Sequence, residues 1–383
     1  MHSTSTIQLS KSALMHNLRF IQSLIGDGVI FSSVVKGNAY GHGIEKIVPI
    51  LESCQVTSFA VFSSYEAVRV KNALKGNQTI IIFGYIPDED LNWVVENEIE
   101  CYISDSQRAA KLVNASIETN KKAIVHIDLE TGMNRTGLNQ YDLQKAISVL
   151  KQNKENFHIR GICTHFAGAE SISNHVRVQN QFALFKELVA YLGSEGIVPD
   201  ILHAASSAAA ITYPETRLDM VRIGILQYGF WPSQETFIHY IHDKSNKQDP
   251  LRRILRWKSK TMDVKTVKQG EFIGYGNFFQ ANKDMKIAII PIGYYDGYSR
   301  SLSNQGKVLI NNQRVSVIGM VNMNMIICDI TKLPNADIGD EVVMIGKQGK
   351  NELSVASFSE LSNLVNYELL TRLPHTINRI QIK

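Results

Sequence analysis

The sequence IFSSVVKGNAYGHG, residues 30–43, puts a lysine directly after a short apolar run that is typical of a buried β-strand. Glycines follow this Lys36 at positions 37, 41 and 43, and they would let a ligand or a backbone approach the strand end closely. The connection lacks the Gly-x-Gly-x-x-Gly pattern of dinucleotide-binding sheets. This strand is therefore not expected to begin a dinucleotide-binding sheet.

Short apolar runs alternate with helical patterns along the first 240 residues. Parallel strands joined by helices form either a closed barrel or an open doubly wound sheet. The number of runs, eight, and the missing dinucleotide motif favour an α/β fold with a (β/α)8 TIM-like barrel over residues 1–240. The runs are Ile30–Val35, Ser58–Phe62, Thr79–Phe83, Ile99–Ile103, Ala123–Asp128, His158–Thr164, Asp200–His203 and Leu218–Arg222.

The pattern changes between Pro232 and Pro250, where the sequence is irregular and polar. Beyond this segment, apolar alternation is interrupted at short intervals by turn residues, which is typical of hairpin-linked strands. One late helical pattern runs from Val355 to Leu364. The sequence therefore predicts a second, mainly β domain over residues 250–383.

Composition excludes several classes of protein. The net charge of +4, from 40 basic and 36 acidic residues, is too small and too dispersed to predict a nucleic-acid partner. No apolar run approaches membrane-spanning length, and the N-terminus lacks the pattern of a signal peptide. Four well-separated cysteines fit reduced thiols in a cytoplasm. The sequence has neither paired-cysteine zinc spacing nor His-Glu-x-x-His, so no metal is expected.

The barrel geometry selects candidate catalytic residues, because these lie at the C-terminal ends of barrel strands and on the loops that follow. Lys36 ends the first predicted strand, and a desolvated lysine can form a Schiff base, although a lysine reaching into water is the simpler interpretation. His165 and Arg222 end the sixth and eighth strands, where a core histidine and a structural ion pair would also fit. Arg135 follows the fifth strand.

A phosphate-binding corner is expected after the last two barrel strands. Ser207 follows the seventh strand, and the backbone of Gly224 and Ile225 follows the eighth. A helix N-cap explains Ser207 equally well. Because a lysine, a histidine, two arginines and this corner converge on one rim, a catalytic site is favoured over the separate structural explanations.

The motif Val34–Gly43 resembles the pyridoxal-phosphate lysine motif of alanine racemases, which usually have alanine where this chain has Gly37. The resemblance runs nearly end to end, in the family's order, and includes Gly274-Tyr275-Gly276. Its other segments are Glu130–Gly137, Thr164–Ala167, Val221–Tyr228, Pro291–Arg300, the surroundings of Met323, Gly339–Val342 and Asn366–Glu368. It implies a fold-type III barrel, a β-domain joined by a strand near Thr6–Leu9, and a head-to-tail homodimer that shares its active sites.

The resemblance also implies a reaction, the interconversion of L-alanine and D-alanine for peptidoglycan synthesis, and roles for individual residues. Lys36 would hold pyridoxal 5′-phosphate as an internal aldimine, and Arg222 would hydrogen-bond its pyridine nitrogen. Lys36 and Tyr275 of the partner subunit would be the two bases on opposite faces of the substrate. The phosphate would be held by Tyr40, Ser207, Tyr367 and the backbone of Gly224 and Ile225.

The remaining roles concern the substrate. Arg135 would contact the cofactor's ring hydroxyl and the substrate carboxylate, and Tyr294 and Tyr367 would limit the side chain to a small one. The Met323 backbone would come from the partner. His165 would hydrogen-bond the partner's tyrosine. A tyrosine ordinarily keeps its proton at neutral pH, so this base requires nearby cations such as Arg222 and His165.

Besides Gly37, three positions depart from the family. Asp128 stands where the family commonly has a lysine that becomes carbamylated and braces the arginine, and we expect Asp128 to orient Arg135 instead. Ser206 replaces the usual asparagine, and Asn324 replaces the usual aspartate. These changes keep open a broad-specificity or serine-type racemase. An amino-acid decarboxylase on the same fold is disfavoured by Arg222 at the pyridine nitrogen, and non-catalytic pyridoxal-phosphate binding proteins lack the β-domain and its tyrosine.

Overall fold

The computed structural model describes residues 3–355 and 366–383. The chain divides into two compact units: a smaller one with the residues up to 13, residues 38–46 and the residues from 253 onward, and a larger one with residues 14–37 and 47–252. The helix predicted over Val355–Leu364 lies, apart from its first residue, outside the described residues. No helix within the described residues is long and apolar enough to span a membrane. The first strand, β1 (Ser5–Ser10), belongs to the smaller unit.

The larger unit is built on eight parallel strands in the order β8-β7-β6-β5-β4-β3-β2-β9. The two end strands approach each other, since the Arg222 amide donates to the Ala205 carbonyl over 3.0 Å and the Asp219 amide to the Leu202 carbonyl over 3.1 Å. The predicted barrel is confirmed and the open sheet is excluded. The strands are β2 (Ile30–Val34), β3 (Ser58–Val61), β4 (Thr79–Ile82), β5 (Glu100–Ile103), β6 (Ala123–Asp128), β7 (Phe157–Cys163), β8 (Ile201–His203) and β9 (Met220–Ile223).

Helices alternate with these strands, and several begin at a side-chain cap. Asp105 accepts from the amide of Arg108 over 2.7 Å at the start of α6, and Asn139 caps α7. Strands β3 and β9 are buried at every residue, as expected for strands covered on both faces. The helices are α1 (Lys11–Ile25), α2 (Lys36–Tyr40), α3 (Ile44–Ser53), α4 (Ser64–Ala73), α5 (Leu91–Glu96), α6 (Ser106–Thr119), α7 (Gln140–Gln152), α8 (His175–Ser194), α9 (Ser207–Thr212) and α10 (Gln234–Ile241).

The smaller unit is mainly β, as predicted. Its largest sheet has the order β11-β12-β15-β14-β13-β16-β10-β1-β18, with β17 beside β16. Strand β1 pairs antiparallel with β10 and parallel with β18. The elements are β10 (Leu255–Lys260), β11 (Asp263–Val267), β12 (Met285–Ile290), β13 (Lys307–Ile310), β14 (Gln313–Ile318), β15 (Ile326–Asp329), β16 (Glu341–Gln348), β17 (Asn351–Leu353), α11 (Asn366–Thr371) and β18 (Asn378–Ile382).

Candidate active site

Lys36 lies two residues after the end of β2, and the amide of the intervening Val35 donates to the Ala60 carbonyl over 2.9 Å. Its ammonium nitrogen lies 5.2 Å from the centre of the Phe83 ring. Burial lowers the pKa of Lys36, and the charges of Arg135 and Arg222 lower it further. The environment therefore makes the neutral amine, the nucleophilic form of lysine, easier to reach than it is for an ordinary lysine.

The segment that follows Lys36 is left-handed. Residues 37–40 have φ angles of 62°, 55°, 55° and 52°, and each residue with a side chain pays a steric penalty there. Gly37, where the family usually has alanine, adopts this conformation without a Cβ clash. The departure at Gly37 therefore lowers the strain of the turn rather than disrupting it.

Arg135 lies exposed on the loop after β6. The Glu130 carboxylate holds this loop, because it accepts from the amide of Gly132 and, over 2.9 Å, from that of Asn134. Arg177 donates to the Gly132 carbonyl over 2.8 Å. The loop backbone is thus fixed while the Arg135 guanidinium is left accessible to an anion.

His165 follows β7, and burial lowers its pKa to about 3, with further lowering by Arg222, Arg135 and Lys36. These shared electrostatic interactions show that the structure brings the four predicted side chains together. At neutral pH His165 is neutral. This lowered pKa argues against His165 as one of the cations expected to assist a tyrosine base, and leaves Arg222 for that role.

Arg222 is 8% exposed and is held by four acceptors. One terminal nitrogen contacts Nδ1 of His203 and lies 3.3 Å from the His203 carbonyl. The other donates to the carbonyls of Thr164 over 2.7 Å and Ala204 over 3.1 Å. A guanidinium has five N–H groups, so Nε–H is the one without an acceptor among the described residues. A structural ion pair does not explain this arrangement, because the acceptors are carbonyls and a histidine.

The phosphate corner is formed locally by the ends of β8 and β9. The Ser207 hydroxyl accepts from the Gly224 amide over 3.0 Å. Ser206, not Ser207, precedes α9, and its side chain makes no cap hydrogen bond. N-capping therefore does not explain Ser207. Ile225 begins a 3-10 turn over residues 225–228, so its N–H has no partner within that turn.

Two further predicted residues meet in the smaller unit. The rings of Tyr40 and Tyr367 lie 6.3 Å apart at 77°. Burial raises the pKa of Tyr40, so its hydroxyl keeps its proton and can donate.

Gly41 is positioned by Arg379, whose Nε and terminal nitrogen donate to the Gly41 carbonyl over 3.0 and 2.9 Å. A Cβ on Gly41 would overlap the Leu370 carbonyl. Arg379 had no signal in the sequence, because its partners are backbone carbonyls, and that of Gly41 lies 338 residues away.

Tyr275, Tyr294 and Met323 also lie in the smaller unit, and their side chains are 70%, 42% and 54% exposed. The Tyr294 amide donates to the Asn322 carbonyl and the Tyr295 amide to the Met323 carbonyl, both over 3.0 Å. Tyr294 and Met323 are therefore neighbours. Tyr275 lies between Gly274 and Gly276, which have φ angles of 80° and 63°. Because Tyr275 is exposed and lies on a glycine turn, its side chain is available to another molecule.

Asp128 ends β6 and is buried. Burial raises its pKa to about 6, although a hydrogen bond with Thr136 and the charges of Arg222 and Arg135 oppose that shift. The charge of Arg135 acts on Asp128 less than that of Arg222 does, and the expected role of Asp128 in orienting Arg135 stays a prediction. At neutral pH most of the Asp128 carboxyl is ionised.

Comparison with known proteins gives one consistent result. Residues 9–232 match the family described as alanine racemase, N-terminal domain, and residues 254–381 match the C-terminal domain. Alanine racemase of Leptospira interrogans is 32% identical over 380 residues, covering 99% of this chain and 96% of the relative. Alanine racemase 1 of Caldanaerobacter subterraneus is 33% identical, covering 98% and 94%.

Solved structures agree. A Bacillus anthracis alanine racemase with bound L-Ala-P has a TM-score of 0.90 and 28% identity, covering 100% of this chain and 96% of that one. An alanine racemase of Bartonella henselae with covalently bound pyridoxal phosphate has a TM-score of 0.85 and 27% identity, and both chains are covered completely.

Proposed function

The chain belongs to the alanine racemase family, and from that premise we propose that it interconverts L-alanine and D-alanine with pyridoxal 5′-phosphate bound at the barrel rim. The observation that carries the proposal is the half-buried Lys36 at the barrel rim, whose pKa is lowered by burial and by two arginines. A lysine in this state suits covalent attachment of a carbonyl compound and the transfer of a proton.

The residues at the rim fit the cofactor's chemistry. A phosphate requires several donors, and we assign it to the hydroxyls of Tyr40, Ser207 and Tyr367 with the Gly224 and Ile225 backbone. Arg222 offers its Nε–H, and a pyridine nitrogen is an acceptor that matches this donor. The carbonyls around Arg222 accept from its other N–H groups, so the guanidinium can turn little.

The chain's own groups bind and orient the substrate and move its proton. Arg135 pairs with the amino acid's carboxylate, and Lys36 exchanges a proton at Cα through its Nζ atom. Tyr275 of a second subunit exchanges the proton on the opposite face through its hydroxyl. The cofactor, when bound, delocalises the charge left at Cα. Because arginine keeps its proton, Arg222 leaves the ring nitrogen unprotonated, which limits side reactions.

A shared site in a homodimer is part of the proposal. Tyr275, Tyr294 and Met323 expose large apolar surface in the single chain, and exposed aromatic and methionine side chains are enriched at subunit interfaces. We assign the Tyr275 hydroxyl and the Met323 backbone to the partner subunit's site.

Solvent exchange tests this function directly. Cofactor-loaded protein in D2O, given L-alanine, L-serine and L-lysine in parallel, should incorporate deuterium at Cα and form both enantiomers, fastest with alanine. Equal or faster turnover of a larger substrate would instead support a broad-specificity or serine-type racemase. Bound cofactor without exchange on any substrate would support a non-catalytic binding protein or a decarboxylase.

Replacing Asp128 with asparagine is expected to raise the KM for alanine at pH 8 roughly two- to fivefold, the range of one charge–charge interaction with an exposed arginine. Asparagine keeps an acceptor for Thr136 but loses the charge that attracts Arg135. The wild-type KM should rise toward the variant's value as the pH falls through about 6, where Asp128 takes up a proton. The variant should lack that step, as steady-state kinetics between pH 5 and 8 will show.

Thermal melting supplies the control for Asp128. The folded pKa lies above the carboxyl's ordinary 3.8, so ionised Asp128 costs stability above about pH 6 and costs none below 3.8. Asp128→Asn should therefore melt higher than wild type at pH 7.5, with the difference closing at pH 4. Wild-type KM and pH dependence in a correctly folded variant would contradict the assigned role.

A further inference from the structure

A chain of buried polar side chains crosses the barrel behind Arg222. A terminal nitrogen of Arg222 contacts Nδ1 of His203, and Nε2 of His203 lies 2.8 Å from Nδ1 of His126. Nε2 of His126 lies 2.7 Å from a carboxylate oxygen of Glu100. Both histidines are fully buried, and Glu100 is 7% exposed. Glu100 begins β5, whereas Arg222 lies near the end of β9, so the contacts run from one end of the strands toward the other.

The chemistry of these groups leaves one direction for the protons. A guanidinium only donates, so Nδ1 of His203 is an acceptor and the His203 proton is on Nε2. That proton is donated to Nδ1 of His126, which places the His126 proton on Nε2. Glu100 accepts this last proton. Burial lowers the pKa of both histidines, which agrees with two neutral rings.

The barrel makes room for this contact at Gly161 in β7. A Cβ on Gly161 would overlap Nδ1 of His126 and would lie 3.1 Å from Nε2 of His203. The Gly161 backbone is not left-handed, so its conformation does not require glycine. The Tyr102 ring packs 5.7 Å from the His126 ring and 6.0 Å from that of His203. At the far end, Arg160 lies 3.7 Å from the other Glu100 oxygen.

We infer that Glu100 is a positioning residue for Arg222: through His126 and His203 it fixes the nitrogen that holds the guanidinium. Without an acceptor for His126 at Glu100, both histidines could adopt the other tautomer. Nδ1–H of His203 would then face a guanidinium N–H, and Arg222 would have to move. The inference rests on the proposed function only for the identity of the group that Nε–H meets, the cofactor's ring nitrogen.

Neutron diffraction on the wild-type protein tests the proton positions without any substitution. The expected map has deuterium on Nε2 of His126 and of His203 and none on either Nδ1. Deuterium on Nδ1 of either histidine would overturn the inference. This result is independent of catalysis, so it separates failure of the inference from failure of the racemase proposal, which deuterium exchange into alanine decides.

Binding of pyridoxal 5′-phosphate to cofactor-stripped variants tests the consequence. Glu100→Met removes the acceptor, and Gly161→Ala separates the histidines. Each should raise the cofactor Kd by roughly ten- to a hundredfold, the usual effect of losing a hydrogen bond to a charged group. Glu100→Gln keeps an acceptor and should change the Kd less than about threefold.

Gly193→Ala is the matched control for Gly161→Ala, because a Cβ on Gly193 in α8 meets nothing within 4 Å. It should leave cofactor binding unchanged. Wild-type Kd in folded Glu100→Met would overturn the inference, as would equal losses in Glu100→Met and Glu100→Gln. If a variant does not fold, the wild-type neutron map still decides the proton positions.

Discussion

Replacing Lys36 with alanine is expected to abolish covalent attachment of pyridoxal 5′-phosphate and to lower racemisation by at least about 10²–10⁴-fold, the usual range for losing an acid–base group. The loss is large because one side chain performs two tasks, attachment and proton transfer. No other lysine is assigned to the rim, and burial with two neighbouring arginines prepares this amine in particular. The measurements are the visible absorbance of the loaded protein and its mass after borohydride reduction.

Lys46 supplies the matched control for Lys36. It is an exposed lysine on α3, ten residues further along the chain, so Lys46→Ala removes the same charge without touching the rim. That variant should keep the absorbance and the rate. A Lys36→Ala protein that still carries reducible cofactor would reject the assignment of Lys36.

The barrel could be predicted because its evidence is local. Eight apolar runs that alternate with helical patterns are visible in the sequence itself. Lys36 and Arg222 can be seen there at the ends of two of these runs. Parallel strands place their C-terminal ends on one side of a barrel. That rule alone gathers the candidate side chains, and the shared electrostatics of Lys36, Arg135 and His165 agree with it.

The contacts that could not be predicted depend on strand register and on distant backbone. His126 lies inside β6 and His203 ends β8, and nothing in the sequence shows that Gly161 leaves their rings in contact. Arg379 reaches Gly41 across 338 residues. Protonation also escaped prediction, because the neutral state of His165 follows from burial among cations, which only the folded barrel supplies.

Replacing Tyr275 with phenylalanine is expected to lower racemisation by about 10²–10⁴-fold while changing cofactor affinity little. The variant keeps the ring and loses the hydroxyl that exchanges a proton on one face of Cα. L-alanine and D-alanine have equal free energies, so the equilibrium constant is one and kcat/KM must fall equally in both directions. Exchange of the α-proton with solvent should nevertheless persist for the enantiomer whose proton faces Lys36, as NMR in D2O will show.

Tyr65→Phe is the control for Tyr275→Phe, because Tyr65 is also 70% exposed and lies on α4 of the larger unit; its rates should be those of wild type. Mixing Lys36→Ala and Tyr275→Phe subunits then tests the shared site. If Tyr275 acts in the partner's site, each mixed dimer has one intact site of two. Because about half of the dimers in an equal mixture are mixed, about a quarter of wild-type activity should return. If it serves its own chain, every site lacks one base and the mixture stays inactive, which would contradict the proposed dimer.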